Sequence, residues 1–112
     1  MITLYGIPNC DTIKKARKWL KDNNVDYTFH DYKKLGVPEK ELTTWVKKIG
    51  WEILLNKRGT TWRKLDEAIK ESVNKNTAIQ IMLENPSIIK RPVLVKGKNI
   101  LVGFKADEYT KL

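Results

Sequence analysis

The order of strand-like and helix-like segments is the feature that most limits the fold of this chain. A short β-prone run, ITLY (Ile2 to Tyr5), precedes a helix-like segment that starts at Asp11. The alternating segment DYTFHDY, in which a strand is predicted from Tyr27 to Asp31, comes next. Two strands joined by a helix form a βαβ unit with parallel strands. The N-terminal part of the sequence therefore predicts an α/β fold.

The middle of the chain, from Pro38 to about Asn85, has helical periodicity and little strand signal. Three segments carry apolar residues at helical spacing: PEKELTTWVKKIG, TTWRKLDEAIKES and NTAIQIMLENP. Pro86 ends the last of them, because proline cannot continue a helix. In the second segment, Thr60 or Thr61 is expected to cap the helix.

Strands return near the end of the sequence. PVLVKGKNILVGF predicts a hairpin of Val93 to Val95 and Ile100 to Val102 around a turn with Gly97, and a short helix from Asp107 follows. The whole order is that of a thioredoxin-like fold: an α/β protein with a four-stranded mixed sheet (βαβ, then ββα) and an inserted helical subdomain. We predict one domain, 1–112, with its core at 1–35 and 87–112 and the insert at about 36–86.

Composition excludes several kinds of site. The 112 residues are 41% hydrophobic, enough for a core without disulfides. The chain has one cysteine and one histidine, so it has no internal disulfide and too few ligands for a zinc site. We predict no metal. The N-terminus MITLYGIPNC does not read as a targeting signal, and no stretch is apolar enough for a membrane span, which predicts a cytoplasmic protein without membrane contact.

The net charge is +9, from 22 Lys and Arg against 13 Asp and Glu, which favours anionic ligands. Nucleic acid is nevertheless not predicted as a partner, because no basic run interleaved with aromatic residues and no zinc-finger spacing is present. The lysine pairs that begin at Lys14, Lys33 and Lys47 are more typical of solvated surfaces.

The single thiol, Cys10, lies where the first loop meets the first helix. A helix N-terminus stabilises a thiolate through unpaired N–H groups and the helix dipole, and Lys14, Lys15 and Arg91 are cations that could add to this effect. The alternative is a small buried apolar residue. The polar neighbours of Cys10, Pro-Asn before it and Asp-Thr after it, favour the reactive thiol.

Several motifs in order along the chain resemble one family. YGIPNC is similar to the active-site loop of the arsenate reductase-like family, and IIKRPVLV is similar to its second signature. NCDTIKKARKWL, FHDYKK, GWEILLNKRGTTWRKLD and IKRPVLVKG together are most similar to the YffB subgroup, closer than to arsenate reductases or to the Spx regulators. The resemblance covers nearly the whole chain.

The resemblance implies a nucleophilic Cys10 that an external thiol resolves, with glutathione as co-substrate, glutaredoxin as a further partner and no bound cofactor. It also implies that Pro92 is a cis-proline facing the cysteine, although trans is the default for any X-Pro bond. Whether Arg58 contacts a ligand stays open. The predicted substrate or glutathione contacts are Asn9, Asp11, Thr12, Lys14, Arg58, Arg91 and Pro92.

The chain departs from the glutaredoxin-coupled arsenate reductases, which carry three arginines around the cysteine. Arg91 matches one of them. The second aligns with Asn56, two residues before Arg58, and the third aligns with Gly103, near Lys105. Because an oxyanion needs several converging donors, these departures argue against arsenate as the natural substrate.

Three functions follow from the resemblance. The first is a glutathione-dependent thiol reductase or transferase; having one cysteine, the chain would require an external resolving thiol. The second is a regulator that, like Spx, binds RNA polymerase. The CxxC motif of many such regulators is absent, since Asp11, Thr12 and Ile13 follow Cys10. The third is an arsenate reductase.

Overall fold

The computed structural model describes residues 1–112, which form two compact units, 1–36 with 91–112 and 37–90. The first unit contains the sheet, and the second is helical. The strands are β1 (Ile2–Gly6), β2 (Thr28–Asp31), β3 (Val93–Lys96) and β4 (Asn99–Val102). The helices are α1 (Asp11–Asp22), α2 (Tyr32–Leu35), α3 (Glu39–Ile49), α4 (Trp51–Leu54), α5 (Thr60–Arg63), α6 (Glu67–Glu71), α7 (Lys75–Glu84) and α8 (Ala106–Tyr109).

The four strands form one mixed sheet in the order β2-β1-β3-β4. β1 runs parallel to β2, with Leu4 opposite Phe29, and antiparallel to β3, with Leu4 opposite Leu94. β3 and β4 form the predicted hairpin, with Leu94 opposite Leu101. The predicted α/β class, the four-stranded mixed sheet and the thioredoxin-like order of elements are confirmed.

The second strand begins one residue later than predicted, and a turn of helix that the sequence pattern did not reveal follows it. Tyr27 lies outside β2, and Tyr32 begins α2. Asp31 caps this helix, since its carboxylate oxygen Oδ1 accepts a hydrogen bond of 2.8 Å from the backbone N–H of Lys33. Tyr32 is buried, so its apolar character fits a strand and a buried helix start equally well.

The helical unit differs from the prediction at TTWRKLDEAIKES, which is two short helices, α5 and α6. After α5 the backbone N–H of Leu65 bonds to the carbonyl of Trp62, a tight turn, and Asp66 has extended backbone angles before α6 begins. The expected threonine cap is also wrong. Gly59 precedes α5, and the hydroxyl of Thr61 lies 2.8 Å from that of Ser87.

The core of the sheet unit lies between α1 and one face of the sheet. α1 is amphipathic and buries Ile13, Ala16 and Leu20. The buried residues that pack together in this core are Ile2, Leu4, Ala16, Leu20, Leu94 and Tyr109.

None of the helices in the protein combines the length and the apolar character needed to cross a membrane.

Gly6, the last residue of β1, lies against Ile13 of α1. A Cβ atom at position 6 would collide with the Ile13 side chain, which is fully buried. The missing side chain thus lets the strand and the helix approach closely. This contact sets how the loop between them, which ends at Cys10, enters the helix.

We expect Gly6→Ala to lower the free energy of unfolding by about 1 to 3 kcal/mol, the usual cost of overpacking a core. Ile13→Val alone should cost about 0.5 to 1.5 kcal/mol. Because Ile13→Val removes the methyl group closest to the new Cβ, the double variant should be more stable than the sum of the two single losses predicts. Urea unfolding of the four proteins measures this coupling, and strict additivity would contradict the close contact.

Candidate functional site

Cys10 lies at the junction of the β1–α1 loop and the helix. It is the N-cap residue of α1, with extended backbone angles (φ −140°, ψ 128°). Its carbonyl accepts the first helical hydrogen bond, 3.0 Å from the backbone nitrogen of Lys14. The residue is half-buried and is a free thiol. The sulfur therefore lies at the N-terminal end of a helix of 12 residues, where backbone N–H groups lack helical partners.

The pKa of the Cys10 thiol lies below its ordinary value. Partial burial raises the pKa, but the backbone N–H groups of Ile13 and Thr12 lower it, and so do the charge of Arg91 and a hydrogen bond from its side chain. No hydrogen bond of ordinary capping geometry joins the neutral side chain to the helix. The N–H groups therefore act mainly by stabilising the charged form of the sulfur.

The pairing of β1 with β3 places Arg91 and Pro92 beside the loop that leads to Cys10. β1 and β3 are antiparallel with Tyr5 opposite Val93, so the residues that follow Tyr5 run beside those that precede Val93. The Arg91–Pro92 peptide bond is cis. Pro92 is buried, and its carbonyl accepts a 2.9 Å hydrogen bond from the backbone N–H of Gly103.

The other predicted contacts in the sheet unit lie within four residues of Cys10 in the sequence. Asn9 and Asp11, its two neighbours, are exposed, and Thr12 is half-buried. Lys14 is exposed, as is Lys15, so water screens both charges. Of the cations expected to support the thiolate, Arg91 is the one that lowers its pKa.

The remaining predicted contact, Arg58, lies in the helical unit and is exposed. Its backbone N–H donates a 3.0 Å hydrogen bond to the side-chain oxygen of Asn56, which shapes the loop before α5. Arg58 and Cys10 therefore belong to different compact units, and the contact of Arg58 with a bound ligand stays a prediction. Gly103 has a φ of 80°, a left-handed conformation that suits glycine, and Lys105 is exposed.

The structure also contains a groove that the sequence pattern did not reveal. It has a volume of about 410 Å³ and begins at Pro8, two residues before Cys10. A separate cavity of about 390 Å³ lies at the other end of the sheet, between the β3–β4 hairpin and the C-terminus. The residues that line the first groove, of about 410 Å³, are Pro8, Arg17, Phe29, Asp31, Lys34 and Leu35.

No three His, Cys, Asp or Glu residues converge as they would to hold a metal ion.

Comparison with known proteins agrees with this geometry. The model of the ArsC family matches residues 5–112. A Haemophilus influenzae protein described as uncharacterized is 50% identical over 109 residues, which are 97% of this chain and 96% of that protein. The global transcriptional regulator Spx of Streptococcus pyogenes is 30% identical over 110 residues, 96% of this chain and 81% of the regulator.

Among solved structures, the YFFB protein superimposes with a TM-score of 0.95 at 51% sequence identity, over 99% of this chain and 97% of that one. This agreement in fold and sequence extends over both compact units. The family match includes the Cys10 loop and the Arg91–Pro92 segment. The chain therefore belongs to the ArsC family.

Proposed function

We propose that this protein is a glutathione-dependent thiol oxidoreductase that uses Cys10 as its single nucleophile. The observation that carries the proposal is the stabilised thiol: Cys10 has a lowered pKa at a helix N-terminus, with the Arg91 guanidinium bonded to it. The thiolate is the nucleophilic form of cysteine, so a lowered pKa gives Cys10 a larger thiolate fraction than an ordinary cysteine has at the same pH.

The proposed reaction has two exchange steps. The Cys10 thiolate attacks the glutathione sulfur of a mixed disulfide; a sulfur–sulfur bond forms at Cys10, and the substrate leaves as a thiolate. A second glutathione thiolate then attacks the glutathione sulfur held on Cys10, which releases oxidised glutathione and restores the Cys10 thiolate. Since the chain has one cysteine, this second thiol must come from outside the protein, from glutathione or from a glutaredoxin.

Arg91 would serve both steps by holding a carboxylate of the bound glutathione next to Cys10. A guanidinium binds a carboxylate with two parallel hydrogen bonds. Asn9, Asp11, Thr12, Lys14 and Arg58 remain predicted contacts of the bound thiol. One cation at the thiol suits a singly charged carboxylate better than an arsenate ion, so glutathione oxidation should depend on a mixed disulfide rather than on arsenate.

A second function is supported by the similarity to Spx, which extends over 96% of this chain. In that case the protein would regulate transcription by binding RNA polymerase, and Cys10 would sense oxidants. A pull-down with purified RNA polymerase distinguishes the two proposals. Retention of the polymerase, together with no turnover of glutathione mixed disulfides, would favour the regulator.

We expect the Cys10 thiol to ionise at lower pH in the folded protein than in the unfolded one. The measurement is the rate of alkylation by iodoacetamide as a function of pH. Because Cys10 is the only cysteine, the same chain in urea supplies the reference, with a midpoint of about 8.5. The folded midpoint should lie below this value, and Arg91→Met should move it part of the way back. Equal midpoints in buffer and in urea would exclude an activated thiol.

We expect Arg91→Met to slow the formation of the glutathione adduct of Cys10 by about tenfold or more, since charge-assisted hydrogen bonds contribute roughly 1.5 to 3 kcal/mol. Mass spectrometry after mixing with oxidised glutathione measures the rate, which is then corrected for the fraction of thiolate found by alkylation. Arg91→Lys should give an intermediate loss, because lysine keeps the charge but not the two-pronged geometry.

The control for this experiment is Arg63→Met, which removes the same charge from an exposed position in the helical unit. It should leave the rate within twofold of the unmodified protein, on the order of the effect of a screened surface charge. Equal small losses for the two variants would show that Arg91 does not bind the ligand.

A further inference from the structure

The groove lined by Pro8 also takes its walls from α1, β2 and α2. We call it the α1–α2 groove. Apolar surface comes from Pro8, from the half-buried ring of Phe29 and from Leu35, whose side chain is 69% exposed. This is one of the few large apolar side chains that the protein leaves in water. Pro8 is two residues from Cys10 in the chain, so this lining residue lies near the thiol, and the two exchange steps described above do not use the groove.

Arg17 is held in a fixed position at the side of this groove. Its guanidinium carbon lies 4.4 Å from the centre of the Phe29 ring, and its Nε donates a 3.0 Å hydrogen bond to the hydroxyl of Tyr27. The hydrogen bond to Tyr27 uses Nε, so the two terminal nitrogens of the planar guanidinium still have N–H groups to donate to a carboxylate. A guanidinium fixed in this way loses little entropy when it binds a carboxylate.

The charges of the α1–α2 groove favour an anionic occupant. Arg17 and Lys34 line it, against one carboxylate, Asp31. Asp31 caps α2 through its Oδ1, which accepts the backbone N–H of Lys33, and the two cations still outnumber this one carboxylate. Lys33 itself is an exposed cation at the same helix. The groove therefore combines apolar contact surface with unneutralised positive charge, which suits an acidic peptide segment rather than a purely apolar one.

The distance along α1 determines where the acidic residue of such a peptide would lie. Arg17 is seven residues after Cys10, so a rise of 1.5 Å per residue separates them by about 10 Å along the helix axis. An extended peptide advances about 3.3 Å per residue, so about three residues cover this length. A substrate cysteine held at Cys10 would thus present a side chain about three positions away to Arg17.

We propose that the α1–α2 groove binds the protein half of a mixed disulfide and selects substrates that carry Asp or Glu about three residues from the modified cysteine. This inference rests on the proposed function and assigns the two halves of the disulfide to two places. The glutathione half lies beside Arg91 and Pro92, and the leaving peptide lies along Pro8, Phe29 and Leu35 with its carboxylate on Arg17. The peptide leaves as a thiolate when Cys10 takes the glutathione sulfur, as in the first exchange step.

The test uses synthetic peptides with one glutathionylated cysteine and Glu three residues before or after it, each paired with the same peptide carrying Gln. Turnover with reduced glutathione gives kcat/KM at low ionic strength. We expect one Glu peptide at least to react about three- to tenfold faster than its Gln partner. The ratio should fall towards one in Arg17→Met and at high salt, because an exposed ion pair is screened.

Two variants separate a positioned guanidinium from general charge. Lys18→Met removes one charge from the next residue of α1, where Lys18 forms an exposed ion pair with Asp22 at 2.7 Å. It should leave the Glu-to-Gln ratio unchanged. Tyr27→Phe keeps the charge of Arg17 but removes its hydrogen bond, and should reduce the ratio only in part. Circular dichroism of each variant shows whether it is folded.

Equal rates for Glu and Gln peptides at both positions, or equal losses in Lys18→Met and Arg17→Met, would overturn the inference. A higher KM for glutathione in Arg17→Met, with the peptide ratio intact, would also overturn it by placing glutathione in the groove. Binding of the same peptides to Cys10→Ser, measured by calorimetry, gives a readout without turnover. If Cys10→Ser binds a Glu peptide more tightly than its Gln partner but the unmodified protein turns over neither, the groove is supported and the proposed function is rejected. Equal affinities for the two peptides would reject the groove.

Discussion

The antiparallel pairing of β1 with β3 is the interaction on which the rest of the site depends. It joins segments from opposite ends of the chain, with Tyr5 opposite Val93. Pro92 and Arg91 thereby run beside the loop that leads from β1 to Cys10. Closing such a long loop costs conformational entropy, and the burial of Leu4 and Leu94 in the core below helps to offset that cost. A slip by one residue would turn these side chains to the opposite face of the sheet.

The thiol is governed by a balance between burial and polar contacts. Burial alone would raise the pKa of Cys10 and leave an inert thiol. The helix N-terminus supplies two N–H groups, and Arg91 supplies a charge and a hydrogen bond, which together reverse the direction. These two contributions come from the backbone geometry of α1 and from the strand pairing, so the lowered pKa is a property of the assembled sheet unit rather than of the cysteine alone.

Membership of the ArsC family leaves the chemistry open, because one fold can carry both enzymes and regulators. The similarity to Spx and the similarity to the YFFB protein each cover nearly the whole chain. What distinguishes candidate functions is therefore the surface around Cys10. In the sheet unit, the cation bonded to the sulfur is Arg91, and a groove with Arg17 at its side extends from Pro8. These features suit a disulfide with an anionic peptide on each half.

Local patterns in the sequence were enough to predict the strands, the start of α1 and the position of Cys10 at that start, since alternation and helical spacing reflect which side of an element is buried. They did not reveal α2 or the break between α5 and α6. These depend on single turns, such as the cap that Asp31 provides for α2, and apolar spacing continues through them unchanged.

The sequence by itself therefore determined the order of elements and the position of the single cysteine at the start of α1, together with the family that the motifs resemble. Only the tertiary structure decided which cation meets the thiol, because Arg91 reaches Cys10 through strand register and Lys14 remains in solvent on the same helix. It also decided the contacts of Arg17, for which no role was predicted from the motif that contains it. Spacing in the sequence predicts which residues share a face of one helix or strand. The contact of Arg17 with Phe29 arises instead from packing between a helix and a strand.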